Sequence, residues 1–247
     1  MNEQTFIHGL PFPTALLQCG HTPDKETRFV SIASPPAPEL PPEKKRRAIR
    51  SRSERRQQLI DATIRCIAQH GLSATTMQLV TREAGLSLGI ANLHFQSKEN
   101  LLTETLRHVT REYNEGLLGI LSDRSDSTLA TILGQLLDFQ LSRGVTQRQK
   151  MAVWFAYYGE AGARPVYQRI CSNSDRLAAK KIEALFDEVI TEGNYPARDA
   201  KELATGYLCL IDGLWLGLLV APRDLNKTRA KTVARAYLHQ AFPQHIG

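Results

Sequence analysis

The sequence contains little cysteine and no long apolar run, and each absence excludes a class of protein. The cysteines form no CxxC pair, which argues against a zinc site or a disulfide framework and favours a reducing cytoplasm. The longest apolar run, residues 206–221, contains Asp212 and is shorter than the roughly 18 residues that span a bilayer. The N-terminus has no basic-then-apolar signal pattern, so we expect neither secretion nor a membrane span. The four cysteines are Cys19, Cys66, Cys171 and Cys209.

The sequence also lacks the motifs of the common enzyme classes. It contains no GxSxG, no P-loop and no GxGxxG, so the usual nucleophile and nucleotide sites are not indicated. Its seven histidines do not cluster with cysteines or carboxylates at metal-ligand spacing. We therefore predict that the protein is not an enzyme and needs neither a metal nor a cofactor.

Positive charge is concentrated in one segment. The 31 Lys and Arg and 25 Asp and Glu give a formal net charge of +6. Residues 44–56 hold eight basic residues and one acid, Glu54, so the rest of the chain is close to neutral. Such a segment predicts nucleic acid or an anionic surface as a partner, although a solvated tail without a partner has the same composition.

Proline divides the chain into two parts. Eight of the twelve prolines lie in residues 1–43, where no periodic apolar pattern is found, so we predict a disordered extension over residues 1–53. From residue 54 onward, apolar residues recur at helical spacing, and no alternating run indicates a strand. The pattern predicts an all-α fold of about nine helices. The longer predicted helices cover residues 55–70, 98–118, 127–142, 147–161, 165–191, 199–220 and 226–241.

Two short predicted helices meet at a tight turn. Thr75 and Gln78 have the spacing of a capping box at the start of the first helix. Gly85 can adopt the left-handed backbone conformation that the turn requires, and Ser87 is a suitable N-cap for a second helix over residues 88–95. This is the pattern of a helix-turn-helix, in which the second helix enters a DNA major groove N-terminus first.

The helix-turn-helix begins at Met77 and ends at Gln96. Gly89 lets the backbone approach the sugar-phosphate edge, and Lys98 lies at the positive N-terminus of the following helix, where it can meet a phosphate. The predicted DNA-binding residues within and beside the motif are Thr75, Thr76, Ser87, Leu88, Gly89, Asn92, Leu93, His94 and Lys98. Those of the basic segment are Arg50, Arg52, Arg55 and Arg56.

Residues 54–114 resemble the TetR family of bacterial transcriptional regulators. The resemblance implies a DNA-binding domain over residues 54–114 and an effector-binding and dimerisation domain over residues 115–247. The family often has tyrosine where this chain has Asn92, and a lysine or polar residue where it has Leu88. Asn92 can read an adenine edge, whereas Leu88 can only touch a thymine methyl. The matching residues are Gly71, Thr75, Thr76, Val80, Ala84, Gly85, Leu86, Ser87, Gly89, His94, Phe95, Ser97, Lys98, Glu99, Asn100 and Leu101.

The C-terminal part is similar to the BetI-like branch of that family, the choline-sensing repressors. The segment 210–216, LIDGLWL, is typical of this branch, as is residues 226–230, NKTRA, with asparagine where aspartate is usual. Trp154, Tyr158, Pro165 and Arg169 follow in matching order. The resemblance implies an effector domain of this type and, if it extends to the ligand, regulation of glycine betaine synthesis from choline.

Two helical faces form a candidate ligand site. Trp154 and Tyr158 share one face, while Asp212 and Trp215 share another. Aromatic faces beside a carboxylate suit a quaternary ammonium ion through cation–π attraction. The alternative is an ordinary core in which Asp212 bonds a neighbouring hydroxyl or backbone group. The predicted ligand-binding residues are Trp154, Tyr158, Asp212 and Trp215, with Phe155 and Glu160 as weaker candidates.

The last two predicted helices carry broad apolar faces, and the resemblance implies that they pair across a two-fold axis in a homodimer. The function hypothesis is a cytoplasmic repressor that binds a pseudo-palindromic double-stranded DNA operator and is released by a small ligand. A TetR-type regulator of another pathway with a different effector is the first alternative. A helical enzyme or a protein bound to a membrane surface through its basic segment is the second.

Overall fold

All regular structure in the residues that the structure describes is helical. A computed structural model describes residues 51–122, 127–195 and 197–247, and within these ranges it contains nine α-helices and no strand. The all-α prediction is therefore confirmed. Residues 1–50, which hold most of the predicted extension together with Arg50, lie outside the described residues. The helices are α1 (Arg52–His70), α2 (Met77–Ala84), α3 (Leu88–Phe95), α4 (Lys98–Ser122), α5 (Leu129–Gln140), α6 (Arg148–Ala161), α7 (Pro165–Glu192), α8 (Ala200–Val220) and α9 (Lys227–Ala241).

Serine side chains cap the second short helix, α3, and the long helix α4 that follows it, as predicted. The Ser87 hydroxyl accepts a hydrogen bond from the Ile90 amide at the start of α3. At the start of α4, the Ser97 hydroxyl accepts one from the Asn100 amide at 3.1 Å. These bonds satisfy amides that lack a partner within the helix, so they fix where each helix begins.

The predicted capping box at Thr75 and Gln78 is wrong by one residue. Thr76 is the N-cap of α2, and its hydroxyl accepts a hydrogen bond from the Leu79 amide at 3.1 Å. The Thr75 hydroxyl instead donates to the Gly71 carbonyl at 2.8 Å. Both threonines are good caps by residue type, so their spacing alone did not distinguish them.

Helix α1 begins three residues before the predicted start. Ser51 and Glu54 form a reciprocal capping box, in which each side chain accepts a hydrogen bond from the other's backbone amide. The first turn of α1 therefore incorporates Arg52 and Arg55, which the sequence had placed in a basic arm.

One apolar cluster joins the three N-terminal helices to α4, α6 and α7. Tyr157 of α6 donates a hydrogen bond to the Leu102 carbonyl of α4 at 2.6 Å. Its ring meets Tyr167 of α7 edge-on, with 5.0 Å between centroids. Because all three side chains are buried, α6 and α7 are packed directly against α4, and α6 also packs against α1, the helices that flank the helix-turn-helix.

A second apolar cluster fills the C-terminal half. It is built from α4, α5, α6, α7, α8 and α9 around the fully buried residues Ile182, Phe186, Tyr207 and Leu238. Helices α4, α6 and α7 contribute to both clusters, so the two halves are joined by shared helices. Of the cysteines in the described residues, Cys66, Cys171 and Cys209 are free thiols.

Within the described residues, α8 is long and apolar enough to cross a membrane by length and composition. This is weak evidence for a span, since core helices of globular folds meet the same test. Only 28% of the apolar 18-residue stretch of α8 that could cross a membrane is buried inside this single chain. Much of the helix therefore presents apolar surface that the chain itself does not cover.

Gln96 ends α3 in a backbone conformation that side chains disfavour, with φ of 64° and ψ of −38°. Glycine has no Cβ to clash there, so Gln96→Gly should raise the free energy of unfolding by about 1 kcal/mol. Urea unfolding of the full chain measures the change. Gln96→Ala keeps the Cβ and serves as the control, so an equal gain from both variants would show that the backbone is unstrained.

Candidate DNA interface and effector pocket

Helices α2 and α3 are joined by a turn with the geometry of a helix-turn-helix. Gly85 adopts the left-handed conformation that the sequence predicted for the turn. Its φ is 65° and its ψ is 33°. The buried residues Val80, Ala84 and Phe95 fasten the two short helices to the cluster behind them. The outer surface of α3 is thereby held in a fixed orientation.

That outer surface presents the candidate base-reading residues. Leu93 is 67% exposed and Leu88 is 39% exposed, and Gly89 and Asn92 are also exposed. On the opposite side of α3, Ala91 is fully buried. The structure therefore brings the predicted residues of α3 onto one accessible face, where an exposed leucine suits a thymine methyl and Asn92 suits an adenine edge.

The arginines at the start of α1 lie beside α3. Arg56 pairs with Glu104 of α4, and its guanidinium lies over the Phe95 ring at 5.1 Å from the centroid. Arg56, whose side chain is partly exposed, therefore connects α1 to both α3 and α4. Partial burial, followed by the charges of Arg52 and then Arg56, lowers the pKa of His94 from its usual value.

The remaining predicted DNA-binding residues differ in how exposed their side chains are. Thr75 is buried and its hydroxyl bonds within the fold, so its side chain offers no surface to DNA. Thr76 and Ser87 are exposed at the N-termini of α2 and α3. The ammonium of Lys98 donates to the Ser73 carbonyl at 3.0 Å, which holds it at the surface beside the motif.

A cavity of about 150 Å³ lies in the C-terminal half between α4, α5, α6 and α8. Tyr113 of α4 is the centre of its aromatic wall. The Tyr113 ring lies 5.6 Å from Trp215, 5.7 Å from Phe139 and 6.1 Å from Trp154, measured between centroids. Apolar side chains complete the lining, among them Val109, Val145, Met151 and Phe155.

Two carboxylates lie beside this aromatic group. The Tyr158 hydroxyl donates to Asp175 of α7 at 2.8 Å, and the Tyr158 ring lies 5.5 Å from Trp154. Asp212 reaches the surface, yet the protein around its other sides removes water. This desolvation, and secondly repulsion from Asp175, raises its pKa to about 6. Desolvation likewise raises the pKa of Asp175, an effect that the Tyr158 hydrogen bond opposes.

The structure separates the four predicted ligand residues into two groups. Trp154 and Trp215 line the cavity. Tyr158 and Asp212 are not in the lining, and both lie near the carboxylate of Asp175. Of the weaker candidates, Phe155 lines the cavity. Glu160 forms an ion pair with Arg164 at 3.3 Å instead.

Sequence reasoning missed three parts of this region. Tyr113 and Phe139 were not among the predicted ligand residues, and Asp175 lies in an amphipathic helix in which several other acids are exposed. Nothing in the spacing of these residues indicates the site, because they come from α4, α5 and α7 and meet only through packing. The pairing of Tyr158 with a carboxylate is visible in the tertiary structure alone.

The two tryptophans are held differently. Trp215 Nε1 donates to the Gln140 carbonyl at 2.8 Å, so its orientation is fixed from behind. Trp154 Nε1 is buried near the Tyr158 oxygen without a hydrogen bond of good geometry. Of the two tryptophans, Trp154 can therefore reorient without breaking a hydrogen bond of its indole N–H.

An apolar stripe runs along the outside of α8. Its residues recur every three or four positions at Cys209, Gly213, Leu216 and Val220, and all are exposed in the single chain. Val233 of α9 is exposed as well. We call these five residues the outer stripe, and the four that belong to α8 contribute to the incomplete burial of that helix.

Comparison with known proteins identifies both halves of the chain. Residues 59–105 match the family model for bacterial regulatory proteins of the tetR family, and residues 130–243 match that for the C-terminal domain of BetI-type transcriptional repressors. Over 191 residues the chain is 30% identical to the HTH-type transcriptional regulator BetI 2 of Chromohalobacter salexigens, covering 77% of this chain and 90% of the relative. It is 29% identical to BetI of Escherichia coli K12, covering 77% and 95%.

Solved structures show the same fold. A transcriptional regulator of Pseudomonas aeruginosa PAO1 superposes with a TM-score of 0.70 at 23% identity, covering 81% of this chain and 97% of that one. A regulator of Saccharomonospora viridis, solved in complex with choline, superposes with a TM-score of 0.67 at 24% identity, covering 76% and 96%.

Proposed function

Because the chain belongs to the TetR family of bacterial transcriptional regulators and carries a BetI-type C-terminal domain, we propose that it is a ligand-released repressor. It binds a pseudo-palindromic operator as a homodimer in the cytoplasm, and a quaternary ammonium compound such as choline releases it. Residues 54–114 are the DNA-binding domain and residues 115–247 the effector and dimerisation domain. The family consists of regulators and not enzymes. The regulated genes would serve glycine betaine synthesis from choline.

The accessible face of α3 is the main support for the proposal that the protein binds DNA. Its residues project from a helix that is capped at Ser87, turned at Gly85 and sealed from behind by Phe95. A recognition helix needs this combination of a rigid back and a free front. Arg52 and Arg55, in the first turn of α1, add positive charge that can position the protein on phosphates.

The outer stripe supports the homodimer. Exposed leucine and valine at Leu216, Val220 and Val233 would remain in water in a monomer, and burying apolar surface is the main driving force for association. A two-fold axis beside α8 and α9 pairs the same stripe from each copy. Two recognition helices can then occupy half-sites about 34 Å apart, which one copy cannot do.

The aromatic wall and the two carboxylates support a cationic effector. Ring faces attract a quaternary ammonium ion, and Asp175 and Asp212 add negative potential beside Tyr113 and Tyr158. The structural neighbour from Saccharomonospora viridis was solved with choline. The resemblance of the C-terminal sequence to the choline-sensing, BetI-like branch points to the same class of ligand.

Helix α6 connects the pocket to the DNA-binding domain. Trp154 lines the cavity, and one turn further along the same helix Tyr157 bonds the Leu102 carbonyl of α4. A ligand that moves Trp154 therefore acts on a helix that is packed against α1 and α4. For release, the ligand must bind the conformation with the wrong half-site spacing more tightly than the DNA-bound one.

The test is fluorescence anisotropy of the full chain with a labelled duplex from the region upstream of its own gene. We expect specific binding that choline reverses, with the dissociation constant rising by about tenfold or more, the usual size of allosteric coupling. Spermidine is the control cation, because it has no quaternary head. No specific binding by folded protein would contradict the operator assignment.

The first alternative is a regulator of another pathway with a different effector. It is favoured if the protein binds the operator specifically but releases it with no quaternary ammonium compound. In that outcome the DNA-binding and dimerisation assignments stand, and only the effector class is lost.

A further inference from the structure

The cavity has an aromatic side that is buried and a solvent-facing side that carries an ion pair. We call the buried side, where Tyr113, Trp154 and Trp215 meet, the floor of the cavity. The carboxylates of Asp175 and Asp212 both act on the phenol of Tyr113 and help to raise its pKa, after desolvation as the largest cause. The floor therefore combines negative ring faces with a negative potential from behind, which favours a cationic group.

The other end, which we call the mouth, carries a lysine. Lys150 of α6 and Glu112 of α4 both line the cavity, and the Lys150 ammonium donates to the Glu112 carboxylate at 2.5 Å. The side chain of Lys150 is 25% exposed and that of Glu112 is 50% exposed, so the pair lies where the cavity opens to solvent.

Lys150 retains hydrogen-bonding capacity toward the cavity. An ammonium has three donors, and Glu112 is the acceptor found for it among the described residues. A second carboxylate, from a ligand, can share the ammonium and exchange water for a charge-assisted hydrogen bond.

We propose that the pocket selects a dipolar effector, a quaternary ammonium compound that carries a carboxylate on a short chain, through Lys150 at the mouth. The trimethylammonium head lies on the aromatic floor and the carboxylate meets Lys150. This inference rests on the proposed function and sharpens it from cations in general to betaines. Lys150 is the residue that determines the preference.

Four probes of nearly equal shape separate the two charges. Glycine betaine has both the cationic head and the carboxylate, and choline has the head alone. The anion 3,3-dimethylbutanoate, here called tert-butylacetate, has the carboxylate with an uncharged head. The alcohol 3,3-dimethylbutan-1-ol, here called tert-butylethanol, has neither charge. Isothermal titration of the full chain with each probe gives four dissociation constants, and operator release is measured separately with the same four compounds.

We expect glycine betaine to bind about tenfold or more tightly than choline, the range of one charge-assisted hydrogen bond. Tert-butylacetate should bind more weakly than glycine betaine because it lacks the charge that the floor attracts. Choline binding as tight as that of glycine betaine would overturn the inference and leave the proposed function intact. Equal binding of tert-butylacetate and glycine betaine would overturn it in favour of an apolar carboxylate. If no quaternary ammonium compound binds, both the inference and the proposed effector class are wrong. Operator binding then tests the repressor assignment separately.

Two variants assign the preference to Lys150. Lys150→Met should remove the preference for glycine betaine over choline, with the loss confined to the carboxylate ligands. The double variant Lys150→Met with Glu112→Gln removes both charges and should show the same loss, which excludes an effect of an unpaired Glu112. Lys181→Met, on the exposed side of α7, is the matched control. A preference that survives in both Lys150 variants would overturn the assignment.

Discussion

Replacing Leu216 with glutamate will separate the protein into monomers and weaken operator binding by about a hundredfold or more, since bivalent attachment contributes that much. Leu216 is 43% exposed in the single chain and lies near the centre of the outer stripe. In a dimer it would face its copy across the two-fold axis, where two glutamates would be desolvated beside each other. Light scattering after gel filtration gives the mass, and anisotropy gives the affinity.

Val166 supplies the matched control for this substitution. It is an apolar residue in the first turn of α7 with 39% exposure, close to that of Leu216, but it lies away from the outer stripe. Val166→Glu should therefore leave both the mass and the operator affinity unchanged. A Leu216→Glu protein that remains dimeric would show that the subunits associate through another surface.

Replacing Asp212 with asparagine will lower the affinity for choline and glycine betaine by about tenfold, the range expected for one partly screened charge near the ligand. The uncharged tert-butylethanol should bind the variant and the original protein equally. Asp187→Asn, which removes an exposed acid of α7, is the control. Equal losses for charged and uncharged ligands would mean that Asp212 shapes the site rather than attracts the cation.

The same residue makes ligand binding depend on pH. Burial and the charge of Asp175 raise the pKa of Asp212 to about 6, so its negative charge is present above pH 6 and is lost below it. Cation affinity should therefore fall as the pH drops from 7 to 5, and the Asp212→Asn protein should show a smaller fall. A flat profile in the original protein would contradict this role.

The sign for stability is the opposite. The folded-state pKa of Asp212 lies above the usual aspartate value of 3.8, so folding becomes less favourable as the pH rises from about 4 to about 6. Above pH 6, the ligand-free protein bears the full cost of keeping that carboxylate partly desolvated. The Asp212→Asn protein should accordingly melt no lower than the original at pH 7.5 in the absence of ligand.

Local signals in the sequence were sufficient to predict most helices. Ser87, Ser97 and Gly85 act through interactions with neighbours three or four residues away, which are encoded by residue type and spacing. The error at Thr75 shows the limit of such signals, because two adjacent threonines are equally good caps. The choice between them was made when Thr75 was buried and bonded to the Gly71 carbonyl.

The sequence by itself determined the all-α architecture, the helix-turn-helix and the family of the protein, because these depend on contacts between residues that are close in the chain. The effector pocket was decided by the tertiary structure. Tyr113, Asp175 and Lys150 lie on three helices and come together only when α4, α6 and α7 pack, so neither their spacing nor their residue types revealed an aromatic floor beside two carboxylates and a lysine at the mouth. Packing also set Arg56 against Glu104 and Phe95, where the sequence had suggested a free arm.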